Sequence, residues 1–261
     1  MPMRPLSAYV RNLTKVPRYL GWFAKIFFRL RRPASFLMHY LRQTSPANRV
    51  VELRDQTRIN LSGHPHDVIT VFVIFVRQDY GRLDGAGVVV DIGANIGSFA
   101  LYAARSGARR VLAYEPNAGA FQCLERNVHE NRLRDVIQAR RLAVTARAGE
   151  KVWFPVNPSA YNRIAEPGSD NVEVVGTTSL AEILRVDAPS GIDMLKLDCE
   201  GAEYEILFNS PAELERVREI RMEYHGGRTD ELRGFLQNLG FRVTRLQAGD
   251  KSVGSLWARK A

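Results

Sequence analysis

Three consecutive valines, Val88 to Val90, run through Asp91 and Ile92 into Gly93, Ala94, Asn95, Ile96 and Gly97. This passage constrains the fold more than any other. A strand apolar on both faces belongs in a parallel sheet, where helices cover it from each side. The glycines after it allow a tight turn and let a ligand lie against bare backbone.

From that strand onward the pattern alternates. Strands are expected at 88–91, 110–115, 136–141, 151–156, 193–198 and 219–223, and helices at 96–106, 118–130, 179–184 and 230–239, with another beginning at 203–208. Two closing strands, 241–246 and 254–259, are joined by a turn at Ala248, Gly249 and Asp250. Residues 157–171 are irregular. Such alternation predicts an α/β fold: a Rossmann-like, doubly wound, mostly parallel sheet with helices on both faces and an antiparallel edge strand. Upstream, residues 48–62 alternate apolar and polar around Val51, Leu53, Ile59 and Leu61, as a short hairpin does. Residues 67–80 are either a helix or a buried strand, and their β-branched density leaves both open.

The net charge of +9 points towards nucleic acid until it is located. Residues 1–50 hold ten of the 37 basic side chains and no acidic one, so residues 51–261 carry 27 basic against 28 acidic, a net of −1. The basicity therefore belongs to the first 45 residues, which read as one or two helices rich in Arg, Trp, Phe and Tyr, broken at Pro17 and Pro33. That segment suits packing on the domain, a homodimer contact or peripheral contact with a membrane surface. Nucleic acid is not expected, because the rest of the chain has no matching basic surface. The expected division is a basic helical N-terminal segment, 1–47, and one domain, 48–261, carrying the hairpin and helix at its start. The two cysteines, Cys123 and Cys199, make no disulfide framework. No secretory leader is evident, and the apolar run 68–76 is too short to span a bilayer. A soluble cytoplasmic protein is expected, with membrane contact only at its periphery.

In a doubly wound sheet the ligand sits at the carboxyl ends of the strands, where strand order reverses. The first strand ends at Asp91, and the next ends at Glu115, 22 residues beyond Gly93, where a carboxylate can accept both hydroxyls of an adenosine ribose. A dinucleotide-dependent oxidoreductase is the competing reading. Its G-x-G-x-x-G turn would need glycine where Asn95 and Ser98 stand, so a pyrophosphate fits poorly.

Residues 91–97, Tyr114-Glu115-Pro116-Asn117, Asn127, Thr177-Thr178-Ser179-Leu180, the block 196–203 (Lys196, Leu197, Asp198, Cys199, Glu200, Gly201, Ala202, Glu203) and Glu223-Tyr224-His225 follow one another in an order that resembles the FkbM family of class I methyltransferases. The resemblance covers roughly residues 67–246, and the 196–203 block is far more distinctive than the glycine turn. Ser179 departs from the usual family pattern. The resemblance implies a seven-stranded sheet, S-adenosylmethionine as cofactor, and O-methylation of a hydroxyl on a sugar, glycan or polyketide-type natural product. It further implies that Asp91, Gly93, Ala94, Asn95 and Gly97 hold the methionine end, Glu115 the ribose, Asn117 the adenosine, and Ala143 with Leu142 the adenine.

Methyl transfer asks an enzyme to align the acceptor and remove its proton. Asp198, Glu200, Glu223 and His225 all fall at neighbouring strand ends and are the candidate catalytic residues. In one scheme His225 or Asp198 is the general base. In the other, Asp198 and Glu223, with Glu200 or His225, bind a divalent cation that acidifies the hydroxyl. The direct base is preferred, so no metal is assigned. Glu200 and Glu203 have a blander reading as acids starting a helix, and Lys196 reads as an ion-pair partner. His64 and His66 read as part of a turn rather than a metal cluster. Tyr80 is placed to close over the cofactor, and residues 157–171 with the N-terminal region are expected to shape the acceptor pocket. A third reading is a non-catalytic cofactor-binding scaffold recruited through the N-terminal segment.

Overall fold

The computed structural model describes residues 16–83, 85, 87–157, 159, 162–248 and 253–260. The expected turn at Gly249 and Asp250 and the first 15 residues of the basic segment lie outside the described residues. The chain starts with helices α1 (Val16–Arg29) and α2 (Pro33–Arg42). An antiparallel hairpin of β1 (Val50–Glu52) and β2 (Arg58–Asn60) follows. Helix α3 (His66–Val71) runs on into a π-helical turn, Phe72–Arg77. Residues 67–77 are thus helical, and the turn stops where Gln78 takes a left-handed φ of 57°. Burial of Val68, Val71, Phe72, Ile74, Phe75 and Val76 outweighs the poor helix propensity of β-branched side chains.

The repeating part comprises β3 (Val88–Ile92), α4 (Ser98–Arg105), β4 (Arg110–Tyr114), α5 (Ala118–Glu130) and β5 (Ile137–Arg140). After these come β6 (Ala143–Val144), β7 (Lys151–Pro155), β8 (Val172–Thr178), and α6 (Leu180–Glu182) with a second π-turn, Ile183–Asp187. The chain closes with β9 (Met194–Leu197), α7 (Glu203–Phe208), α8 (Pro211–Leu214), β10 (Glu219–His225), α9 (Thr229–Asn238), β11 (Phe241–Ala248) and β12 (Val253–Lys260).

Seven strands form the main sheet in the order β5-β4-β3-β9-β10-β12-β11. Strand order reverses between β3 and β9, the neighbours whose carboxyl ends carry the glycine turn and Asp198. The antiparallel strand is β12, which pairs with β10 on one side and β11 on the other, one place in from the edge. Strands 151–156 and 172–178 do not extend this sheet. They form a separate three-stranded sheet in which β8 lies between β6 and β7 and pairs with both. The half-exposed pattern of β7 fits that place, since a strand covered on one face need not be continuously apolar.

Side chains along each strand divide between two cores with period two. Val89, Val111, Ala113, Ile137 and Met194 face a core built with α4, α5, α3 and the N-terminal helices, which contribute Ile26, Leu30 and Phe36. Val90, Ile92, Leu112, Tyr114, Leu195 and Leu197 face the other, against Leu180, Ile206, Leu232 and Leu236. Asp91 and Lys196 pair across β3 and β9 and lie wholly within the sheet, 0% and 3% exposed.

Candidate active site

The glycine turn is shaped by its neighbours. The Gly93 and Ala94 N–H groups both donate to the Tyr114 carbonyl, tying the turn to the end of β4. Gly93 has φ 74°, and a Cβ there would lie 1.9 Å from the Asp198 carbonyl oxygen. Only glycine permits the end of β9 to pack this closely on the turn. Asn95 is also left-handed, with φ 49°, a conformation that asparagine tolerates.

Beneath the turn the Lys196 ammonium sits 2.9 Å from Asp91 Oδ1 and donates to the Gly93 carbonyl at 2.7 Å. Burial works against this charge, but Asp91 and Asp198 outweigh it and hold the lysine above its ordinary pKa. Burial likewise pushes the Asp91 carboxyl up, and the Lys196 charge pulls it back. Lys196 is therefore the ion-pair partner its position implies. The pair braces the turn from below.

Glu115 follows β4 and is 6% exposed. Its two carboxylate oxygens accept the N–H groups of Asn95 and Asn117, each at 2.8 Å, so the side chain is fixed across the mouth of the turn. Burial pushes its carboxyl up to about 7, against the pull of those two donors.

Two cavities meet here. The first encloses about 560 Å³, partly open to solvent, and is lined by Glu115, Asn95, Leu142, Ala143 and Val144, with Phe154, Asn162 and Ile164 across from them. The second encloses about 920 Å³ and is lined by His66, Thr70, Arg77, Tyr80, Phe99 and Glu223 among others. Gly93, Asn95, Asp198 and Glu200 line both.

The acids at the junction are organised around His225. Its Nδ1 lies 3.3 Å from Glu203 Oε1, and its Nε2 lies 3.4 Å from Glu200 Oε2 and 4.0 Å from Glu223 Oε1. Burial opposes the imidazolium, yet the Glu203 hydrogen bond and the charges of Glu200, Glu203 and Asp198 lift the His225 pKa to about 9. Glu203 also accepts the N–H groups of Cys199 and Gly201, which locks the turn that presents Asp198 and Glu200. Burial pushes Glu200 up to about 7, the His225 charge pulling it down and Asp198 pushing it further up. Burial and then Asp198 bring Glu223 to about 7 as well. Asp198 accepts a 2.9 Å hydrogen bond from the Tyr80 hydroxyl. Single donor atoms of Asp198, Glu200 and His225 fall within 4.8 Å of one another, close enough for one divalent cation.

Of the four candidate catalytic residues, Asp198 and Glu200 line both cavities, Glu223 lines the second, and His225 lines neither but packs against Glu200, Glu203 and Glu223. Gly93, Ala94, Asn95, Glu115 and Ala143 line a cavity, whereas Asp91, Gly97 and Asn117 line neither. Gly97 caps α4 in a left-handed conformation. Asn117 caps α5 through Ala120 N–H and donates to the carbonyls of Pro155 and Val156, anchoring the segment that walls the first cavity. Tyr80 faces the second cavity rather than the first. Ser159, Asn162 and Ile164 wall the first, and no described residue of the irregular segment lines the second. No described residue of 16–45 lines either cavity. His66, Thr70 and Arg77 on the second cavity were not expected. The only signal for them was the apolar stretch around them, which says nothing of where polar members point.

A pyrophosphate in the first cavity would meet Glu115, Asp198 and Glu200, with no lysine or arginine in the described lining to offset them. Carboxylates there suit a cationic sulfonium, Glu115 suits a ribose, and Leu142, Ala143 and Val144 suit a purine ring. With the reversal of strand order at the glycine turn, these features define an S-adenosylmethionine-dependent methyltransferase of Rossmann-like fold. The chain belongs to the FkbM methyltransferase family, whose methyltransferase FkbM domain matches residues 91–243.

Relatives agree with that placement. The chain is 29% identical over 206 residues to the methyltransferase sdnD of Sordaria araneosa, covering 65% of this chain and 79% of that protein. It is 28% identical over 143 residues to the hexuronic acid methyltransferase AglP of Haloferax volcanii, covering 54% of this chain and 56% of that protein. Among solved structures it is similar to TrmK of M. capricolum in complex with S-adenosyl-homocysteine, at TM-score 0.48 and 11% identity over 70% of this chain and 66% of that one.

Proposed function

We propose that the protein methylates a hydroxyl oxygen of a sugar-like or other polyhydroxylated acceptor held in the second cavity. The observation that carries this reading is the junction, where both cavities share Gly93, Asn95, Asp198 and Glu200 and where carboxylates line the acceptor side. Glu115 would hold the cofactor ribose, Leu142 and Ala143 its adenine, and the shared acids its charged end. When bound, S-adenosylmethionine supplies an electrophilic methyl carbon on a sulfur that leaves as a neutral thioether.

The protein must supply position and a place for the proton. The Glu203 hydrogen bond and the surrounding carboxylates raise the His225 pKa to about 9 against its burial, which favours a protonated ring there and a different group as base. Glu223 lines the acceptor cavity with a pKa of about 7, close to where a general base works best. The acceptor proton passes to Glu223 as the new oxygen–carbon bond forms. Asp198, fixed by Tyr80, orients the hydroxyl, and the His225 imidazolium keeps Glu200 and Glu203 in place. Polyhydroxylated molecules suit such a wall of carboxylates beside aromatic faces such as Tyr80 and Phe99. The hexuronic acid methyltransferase among the relatives lends support to a sugar acceptor.

The Asp198, Glu200 and His225 cluster keeps the cation-assisted scheme as a second reading. A cation would have to displace the His225 proton, which two carboxylates hold, and this favours the direct base. The test follows isotopically labelled methyl from S-adenosylmethionine into sugars, uronic acids, lipid-linked glycans and polyketide alcohols, with and without EDTA. Labelled product that is indifferent to EDTA is expected. Transfer abolished by EDTA and restored by magnesium would replace the base with a metal, and transfer to none of the hydroxylated acceptors would overturn the proposal.

A further inference from the structure

Ten large apolar side chains are exposed among the described residues, and six of them lie on the two N-terminal helices. On α1 these are Leu20 (64% exposed), Phe23, Phe27 and Phe28 (79%), and on α2 they are Met38 and Leu41 (69%). The opposite side of α1 is already occupied. Ile26 and Leu30 are buried in the core, and Trp22 packs edge-on against Phe72 at 5.8 Å. The exposed aromatic stripe is therefore not the core-facing side of an amphipathic helix. It is a second apolar face with nothing described covering it.

Charge says what fits that face. No acidic residue precedes Glu52, and on this segment Arg32 and Arg42 are exposed, whereas Arg31 meets Glu52 at 3.8 Å and Lys25 donates to Gln78 at 3.1 Å. Soluble proteins seldom leave contiguous large apolar side chains in water without a partner. Phenylalanines set among arginines match a bilayer surface, with rings entering the acyl boundary and guanidinium groups meeting anionic headgroups. No helix among the described residues is long and apolar enough to cross a membrane. The contact would lie along the surface.

We propose that the exposed face of α1 and α2 docks the protein on an anionic phospholipid bilayer. The face stands apart from the catalytic junction, and the proposal does not depend on which acceptor is methylated. Trp22 touches Phe72, at the start of the π-turn whose Val73, Ile74 and Arg77 line the second cavity. Docking would thus hold that cavity one helix away from the headgroups.

The test uses the full chain and co-sedimentation with vesicles of phosphatidylcholine alone or mixed with phosphatidylglycerol. The protein is expected to pellet with the anionic vesicles, to stay in solution with the neutral ones, and to be released by added salt. Changing Phe27 and Phe28 to serine should weaken vesicle binding by at least about tenfold, and the charge reversals Arg32→Glu and Arg42→Glu should weaken it independently. Both variants should bind S-adenosylhomocysteine as the wild type does, which separates lost docking from lost folding. The proposal is overturned by equal sedimentation with both kinds of vesicle, by none, or by binding that the substitutions leave intact. A dimer in light scattering that Phe28→Ser makes monomeric, without lipid binding, would assign the face to a second copy instead.

Discussion

Replacing Glu115 with glutamine isolates the residue on which the cofactor assignment most depends. Each carboxylate oxygen accepts one backbone N–H at 2.8 Å, from Asn95 and Asn117, and each retains a lone pair for a ribose hydroxyl. Glutamine keeps one acceptor oxygen and turns an amide N–H₂ towards a backbone N–H, so one ribose contact is lost and two donors face each other. A hydrogen bond to an ionised group contributes about 1.5–3 kcal/mol, and a buried donor left without a partner costs a similar amount. Part of the second cost falls on the free protein, so affinity for S-adenosylhomocysteine should drop by about 2–3 kcal/mol, roughly 30- to 150-fold. Isothermal calorimetry at pH 8 measures it, with thermal unfolding of the free variant reporting the share borne by the turn. Proton linkage gives a second arm. The Glu115 carboxyl has a pKa of about 7, and its ionised form is the one that accepts two hydroxyls. Wild-type affinity should fall as pH drops below 7, by at most about tenfold per unit. The glutamine variant should lose that part of the slope. Affinity within about twofold of wild type, or an unchanged pH slope in the variant, would refute the ribose role.

Four further outcomes are expected. Lys196→Met leaves the Asp91 carboxyl, 0% exposed, without its cation, and should cost about 3–5 kcal/mol in denaturant unfolding; a wild-type midpoint would show that the pair does not brace the turn. Glu223→Gln should lower turnover by about 10²- to 10⁴-fold while S-adenosylhomocysteine affinity changes little, and equal losses in both would make Glu223 a cofactor residue. Turnover should rise with pH through about 7 as Glu223 ionises, and fall above about 9 as His225 loses its proton. The raised pKa of His225 also stabilises the fold fully below pH 6.5 and is lost as pH climbs through about 9, so thermal stability should decline over that upper range in wild type but not in His225→Ala.

What the sequence made legible is local. The valine run, the glycine turn and Glu115 lie within 28 residues of each other, and each constrains backbone or charge directly. The 196–203 block places Asp198 and Glu200 on one turn for the same reason. Pairing between distant segments was harder to read. Strand β12 enters between β10 and β11 because its hydrogen-bond partners are found across the sheet, which no local pattern encodes. Strand β7 is expected from its own pattern, but β8, reached through an irregular segment and half-exposed along its length, is not. The charge state of His225 depends on Glu203, 22 residues earlier in the chain, so reading His225 as a base could not be weighed from sequence. Asn117 looked like a nucleoside contact by its place after Glu115, but the backbone carbonyls of Pro155 and Val156 claim its amide.

In the proposed reaction, methyl passes to oxygen across the junction formed by Gly93, Asn95, Asp198 and Glu200. Nuclear magnetic resonance of the product, made with S-adenosylmethionine carrying a carbon-labelled methyl, tests it most directly. The expected spectrum shows a methoxy carbon whose methyl protons couple through oxygen to a carbinol carbon of the acceptor. A labelled methyl attached to nitrogen, sulfur or carbon would contradict the claim.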